Sequence, residues 1–305
     1  MDARPHILII VNPKSGRGKA EQKSKRLAEI LQQRGRQVRI EPTRGRGDAE
    51  RIAFAAIESD RERPTCIVAC GGDGIISEIA HVLATARSSL GDQCPTMALA
   101  PAGRCNDFAK ALRVPQKRDV IASLITNGVA KPIDLGWVNG RHFCTVAAFG
   151  IDAAITRYVD TTPMPLRGTP AYLVATLRVL KVFAPPTITI EGPFGRMERQ
   201  ILVASVANTP TYGGAIPIAP QADATDGQLD ICLIDPVSKF RILTLLPRIL
   251  LGRHSHQPEV LFLRTSKLTL ESSRPLEIWS DGEPISSTPA TIQVVPAALR
   301  VMLPN

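Results

Sequence analysis

The chain has 305 residues, enough for two domains with real cores. Hydrophobic residues make up 44% of it and charged residues 21%, which excludes a disordered chain. A formal net charge of +9 suits an anionic partner; an aromatic content of only 4%, with no recognised binding motif, sets nucleic acid aside and leaves polyphosphates and anionic lipids.

The first 130 residues alternate strand-like and helix-like runs. Residues 6–11 read as a buried strand. Residues 20–34 read as a helix with Leu27, Ile30 and Leu31 at helical spacing. A short strand follows at 37–41. Asp48 is placed to cap a helix over 49–59. The apolar run 65–70 predicts a second buried strand, then a glycine loop, then a helix over 75–86. A strand at 97–100 precedes a loop and a helix at 106–112. Such alternation predicts a parallel sheet covered on both faces, a Rossmann-like α/β domain over residues 1–130.

From residue 131 short strands dominate, at 133–138, 142–148, 187–190, 199–207, 229–234, 267–271, 276–280 and 291–295. Two helices interrupt them, at 170–183 and 238–252. This pattern predicts an antiparallel β-sandwich over residues 131–295, with 296–305 as a candidate to rejoin the first domain.

The six cysteines, Cys66, Cys70, Cys94, Cys105, Cys144 and Cys232, form no CxxC pair and predict free thiols in a reducing cytoplasm. The first residues do not read as a signal peptide. No run of about 18 apolar residues occurs, so no spanning helix is expected.

Ligands of open α/β sheets bind beyond the carboxyl ends of the strands. Gly71, Gly72, Asp73 and Gly74 lie at such a place. Glycines let backbone N–H groups approach phosphate, although a tight strand–helix turn would also use them. The loop from Pro101 to Phe108 and the basic loop opening at Asn12 occupy equivalent places. The latter is no GxxxxGK[ST] loop, and its basic residues could equally face solvent. Asp226-Gly227 and Asp281-Gly282 read as hairpin turns; alternatively, a carboxylate there could take a proton from an attacking hydroxyl.

Taken in order, VNPKSGRGKA, Thr43 with Gly47-Asp48, CGGDGIISEIA, PAGRCNDFAKAL, IDLGWVNGRHF, FGIDA, ANTPTYGGAIPIAP, DATDGQLDI and DGEP resemble the diacylglycerol kinase catalytic family in its bacterial lipid-kinase form, to which sphingosine and ceramide kinases are related. The resemblance runs from Asn12 to about residue 303. It implies ATP and magnesium as cofactors, with the active site in a cleft between an α/β and a β-rich domain. By resemblance, Gly71, Gly72, Asp73, Gly74, Ile75, Ile76 and Ser77 hold the ATP phosphates, with Thr43, Asn12 and Arg104 nearby. Asp73, Asp107 and Asp134 would organise the catalytic magnesium. Glu283 would be the general base, supported by Asp281. A second, structural magnesium is implied at Asp223, Asp226 and Gln228, the last through its backbone carbonyl.

The sequence departs from the family at three places. Ile75 and Ser77 stand where the glycine loop usually has Thr and Asn. Arg104 replaces a Thr, and could supply a charge-assisted phosphate contact or block the pocket. Cys105 stands where a small residue is common.

Diacylglycerol is the leading acceptor; a soluble acceptor such as NAD, or a non-catalytic lipid- or nucleotide-binding relative, are the alternatives. A lipid acceptor implies peripheral contact with a membrane. Residues 171–183 and 240–251 are the most apolar helical runs, and carry or adjoin Arg178, Lys181, Arg241, Arg248 and Arg253. They could face a bilayer or be ordinary buried helices with snorkelling basic side chains. Pro217 and Pro220 bracket a loop placed to line a lipid pocket. Edge strands of the second domain offer a route to a homodimer.

Overall fold

The computed structural model describes residues 6–59, 63–163, 169–214 and 216–304. Its first half alternates β1 (His6–Val11), α1 (Lys19–Gln33), β2 (Gln37–Pro42), α2 (Asp48–Glu58), β3 (Cys66–Gly71), α3 (Asp73–Leu90), β4 (Thr96–Pro101), α4 (Asp107–Ala111) and α5 (Arg118–Asn127). The four strands are parallel, in the order β2-β1-β3-β4. β1 and β3 are apolar at nearly every position because helices cover both faces. Ile7, Ile9 and Val11 pack with Leu27 and Leu31 of α1 and Ile121 of α5. Leu8 and Ile10, pointing the other way, pack with Ile52 of α2 and Ile79 and Leu83 of α3. α5 occupies a stretch for which the sequence pattern predicts no element.

The second half contains β5 (Val129–Val138), β6 (Arg141–Phe143), β7 (Val146–Gly150), α6 (Ile151–Thr161), α7 (Thr169–Val182), β8 (Thr187–Gly192), β9 (Gly195–Gln200), β10 (Val203–Ala207), β11 (Leu229–Ile234), α8 (Lys239–Leu250), β12 (Val260–Thr265), β13 (Lys267–Ser272), β14 (Glu277–Ser280), β15 (Glu283–Ser287) and β16 (Ala290–Leu303). β12-β11-β10-β7-β14-β15 form an antiparallel sheet. It packs face to face on β8, β13 and the first half of β16, through Phe143, Phe149, Val206, Ile231, Leu268 and Ile292. Its outer face carries α6, α7 and α8 around Ile151, Val179, Cys232 and Leu245.

β16 joins the two halves. It pairs with β13 and β5 antiparallel and meets β4 in parallel at Val301↔Met97, so the α/β sheet and one sandwich layer form a single sheet of 10 strands. Its register with β5 breaks between Val295 and Leu299, where Ala297 takes a φ of 51°.

The strand expected over 142–148 is two strands, interrupted at Cys144 and Thr145. The one expected over 199–207 is likewise split between β9 and β10 at Ile201 and Leu202. The segment after β7 is helical: Ile151, Ile155 and Tyr158 recur at helical spacing and pack on the outer sheet face. No helix among the described residues is long and apolar enough to cross a membrane.

Candidate active site

The loops that follow β1, β3 and β4 meet at the carboxyl edge of the sheet through backbone rather than side chains. Ala102 and Gly103 donate their N–H groups to the Gly71 carbonyl at 2.7 and 3.0 Å. A Cβ on Gly103 would stand 2.4 Å from the Gly72 Cα, and one on Gly16, whose φ is +60°, would stand 2.5 Å from the Ala102 carbonyl oxygen. These glycines are therefore steric requirements of the loop cluster. α3 begins at Asp73 with no side-chain cap, so the first N–H groups of an 18-residue helix open onto the site.

Ile75 lies against Gly71 at the edge of the loop cluster. Ile75 and Ile76 are buried in the core. Ser77 is buried near the carboxylate of Asp281, which it helps to hold ionised. The resemblance placed all three at the phosphates; of them Ile75 lines the small cavity beside Gly74. Thr43 is buried, and its N–H donates to the Val11 carbonyl at 2.8 Å. The Asn12 N–H donates to the Cys70 carbonyl at 3.1 Å, and its Oδ1 accepts from the N–H of Lys14. Arg104 is exposed and makes no hydrogen bond or ion pair among the described residues.

Asp73 and Asp107 converge. The Asn106 N–H, from a residue with a φ of 53°, donates to Asp73 Oδ2 at 2.8 Å. The Gly214 N–H, from the loop after β10, donates to Asp107 Oδ2 at 2.8 Å. The Oδ1 atom of each is buried with no hydrogen-bond partner. Burial, then Asp281, then Asp107 push the Asp73 carboxyl up to about 6. Two buried carboxylates with free oxygens and mutual repulsion fit a dication. Among the described residues no three His, Cys, Asp or Glu side chains form a metal-holding group. That donor set suits magnesium, which takes one or two carboxylates and completes its shell with water and phosphate.

Asp134 does not join them. It is buried on β5, its Oδ2 accepts the Gly227 N–H at 2.7 Å, and its Oδ1 accepts the Ala297 N–H at 2.8 Å. Its own N–H donates to the Ala224 carbonyl. It thus clasps the bulge of β16 and the 223–228 turn onto β5.

The acidic turn has its own partners within the chain. Asp223 Oδ1 accepts from both the N–H and the hydroxyl of Thr225. Asp226 Oδ1 accepts from the Gln228 N–H, and Asp226 Oδ2 is paired with Arg264. Arg264 Nε also lies 3.5 Å from Asp230 Oδ1, its register partner across β11 and β12. The guanidinium supplies the positive charge that a cation would bring.

Glu283 enters from the second half of the chain. Asp281 and Gly282 both have positive φ, 52° and 88°, and form the tight turn of the β14–β15 hairpin. Asp281 is anchored by the Cys144 N–H at 2.9 Å and the Thr145 hydroxyl at 2.6 Å, which explains why β6 and β7 are interrupted there. The hairpin places Glu283 Oε1 3.8 Å from where a Cβ on Gly74 would stand. Arg46 Nε lies 2.6 Å from the same oxygen. Burial raises the Glu283 carboxyl, and Arg46 draws it down. Glu283, Arg46, Arg44, Lys14, Thr43 and Gly74 line one cavity of about 190 Å³. Arg44 and Arg46 escaped the sequence reading, although the basic run between Thr43 and Gly47 was its visible signal.

The profile of the diacylglycerol kinase catalytic domain matches residues 6–138, and that of the YegS C-terminal NAD kinase beta sandwich-like domain matches residues 145–303. A diacylglycerol kinase of Bacillus subtilis is 31% identical over 280 residues, covering 90% of this chain and 88% of its own. The chain belongs to the diacylglycerol kinase catalytic family. A diacylglycerol kinase of Mycobacterium tuberculosis is also 31% identical, over 98% of this chain and 95% of its own. The solved structure of a diacylglycerol kinase from Bacillus anthracis str. Sterne shares the fold, with a TM-score of 0.73 at 22% identity, covering 100% of this chain and 98% of that one. Membership in this kinase family implies phosphate transfer from ATP.

Proposed function

We propose that this kinase transfers the γ-phosphate of ATP to a hydroxyl group of a membrane lipid, with diacylglycerol as acceptor and phosphatidic acid as product. The observation that carries the reading is the delivery of Glu283 beside Gly74 by the Asp281–Gly282 hairpin. This sets a carboxylate from one half of the chain against a glycine loop and basic side chains from the other. The names of the relatives support the acceptor class.

Lys14, Arg44 and Arg46 supply positive charge where the phosphates would lie. The open N–H groups at the start of α3 add donors aligned with the helix dipole. Asp73 and Asp107 would hold magnesium through their free oxygens, and the metal when bound would neutralise charge on the transferred group. Glu283 orients the acceptor hydroxyl and takes its proton. Asp281 positions that base by fixing the hairpin to Cys144 and Thr145. Neither Asp134 nor the Asp223, Asp226 and Gln228 turn has a metal role in this scheme. The enzyme would work in the cytoplasm and meet its acceptor peripherally, at a membrane surface.

The test is transfer from γ-labelled ATP, with magnesium, to diacylglycerol, ceramide, phosphatidylglycerol and NAD in parallel, using wild type and Glu283→Gln. Labelled phosphatidic acid from wild type, reduced about 10²- to 10⁴-fold in the variant while ATP binding persists, is the expected result. Label in NAD alone would overturn the lipid acceptor, and no transfer to any acceptor would overturn the kinase reading.

A further inference from the structure

α8 is apolar on two sides. Leu245 is buried and Ile249 half-buried against the outer face of the antiparallel sheet, and Ile242, also half-buried, falls on the same side at helical spacing. On the opposite side Phe240 is 84% exposed, Leu251 67% and Leu250 52%. At 3.6 residues per turn Phe240, Pro247 and Leu251 share one line, with Leu250 about 80° and Leu246 about 120° round from it at the margin of the face. A soluble surface seldom leaves so many large apolar side chains together without a partner. α7, on the same sheet face, adds exposed Leu177 and Val182.

The unpaired charge on these helices is positive. No Asp or Glu occurs between residues 161 and 186, or between 236 and 258. Arg241 is neutralised by Glu259. Lys181, Arg248 and Arg253 are exposed and carry no ion pair among the described residues. An apolar stripe flanked by unpaired cations, in acid-free sequence, complements an anionic surface with an apolar interior.

The surface is linked to the cleft. Gly252, at the end of α8, packs on Pro217 and Pro220; a Cβ there would stand 3.2 Å from Pro217 Cγ. The same loop carries Gly214, whose N–H donates to Asp107.

We infer that the outward face of α8, formed by Phe240, Leu246, Leu250 and Leu251 with Arg248 and Arg253, docks this protein on an anionic bilayer. The inference deepens the lipid-kinase reading by naming where the membrane is met, and its test does not depend on that reading. Wild type, Phe240→Ser/Leu251→Ser and Arg248→Gln/Arg253→Gln are sedimented with vesicles of pure phosphatidylcholine and with vesicles containing phosphatidylglycerol. Wild type is expected to favour the anionic vesicles, and each double variant to bind them about tenfold more weakly, the fold surviving as judged by an unchanged melting midpoint. Equal binding by all three proteins overturns the inference. So does a wild-type dimer that Phe240→Ser/Leu251→Ser converts to monomer with vesicle binding intact, since the face would then belong to a second copy. Wild-type vesicle binding without any lipid phosphorylation would sink the kinase reading and leave the docking face standing.

Discussion

Replacing Asp134 separates two roles for that carboxylate. In the structure its two oxygens accept the Gly227 and Ala297 N–H groups at 2.7 and 2.8 Å, within a buried junction of β5, β16 and the 223–228 turn. Hydrogen bonds to a charged group contribute roughly 1.5–3 kcal/mol each, so Asp134→Ala should destabilise by about 4 kcal/mol. With an unfolding entropy of roughly 2 cal/mol/K per residue, a chain of this length gives about 0.6 kcal/mol/K, and the melting midpoint should fall by about 6 °C. Asp134→Asn keeps one acceptor and should lose about half as much. Calorimetry with magnesium and with chelator is the assay, because a clasp acts equally in both. A fall seen only with magnesium present, or no fall at all, would refute the clasp and return Asp134 to the metal.

Arg264→Gln removes the internal cation of the acidic turn; being half-exposed, the pair is worth under about 1 kcal/mol, so the readout is the gain in midpoint on adding magnesium. That gain should be larger in the variant than in wild type, and equal gains would defeat the substitution of guanidinium for metal. Arg46→Ala removes the charge that draws the Glu283 carboxyl down against burial, so the acid limb of the kcat/KM profile should move to higher pH. An unmoved limb in an enzyme that Glu283→Gln silences would rule out that control. His142 Nδ1 lies 3.1 Å from His81 Nδ1 across the contact between β6 and α3, and burial, His81 and Arg141 push it from 6.5 to about 4. Between those values the unfolded chain binds the proton and the folded chain does not, so this group withdraws up to about 3 kcal/mol of stability as pH falls. Asp73 and Asp152, raised to about 6, act in the opposite sense. The effect is therefore read as the wild-type minus His142→Gln difference in denaturant stability, which should shrink with falling pH; a flat difference would contradict it.

Local chemistry made the α/β half legible from sequence. Apolar runs such as His6–Val11 and Cys66–Gly71, each followed by glycines and an amphipathic helix, can bury both faces only in a parallel sheet. The turns that carry Asp73, Asp107 and Asp281 were readable too, because turns and strand ends have fixed residue requirements, whereas the roles of these carboxylates and of Glu283 came from the family resemblance. What those carboxylates touch was not readable. Ser77 turned to Asp281, Asp134 bound to Gly227 and Ala297, Arg46 beside Glu283 and Arg264 on the acidic turn are all pairings between distant parts of the chain. No propensity or periodicity encodes them. They follow from how β16 threads both halves into one sheet, and from the hairpin that carries Glu283 back to the glycine loop. Sequence alone determined the elements, the glycine turns and the excess of positive charge. Tertiary structure decided which charges meet, because burial leaves each carboxylate oxygen only the partners that packing brings within hydrogen-bond reach.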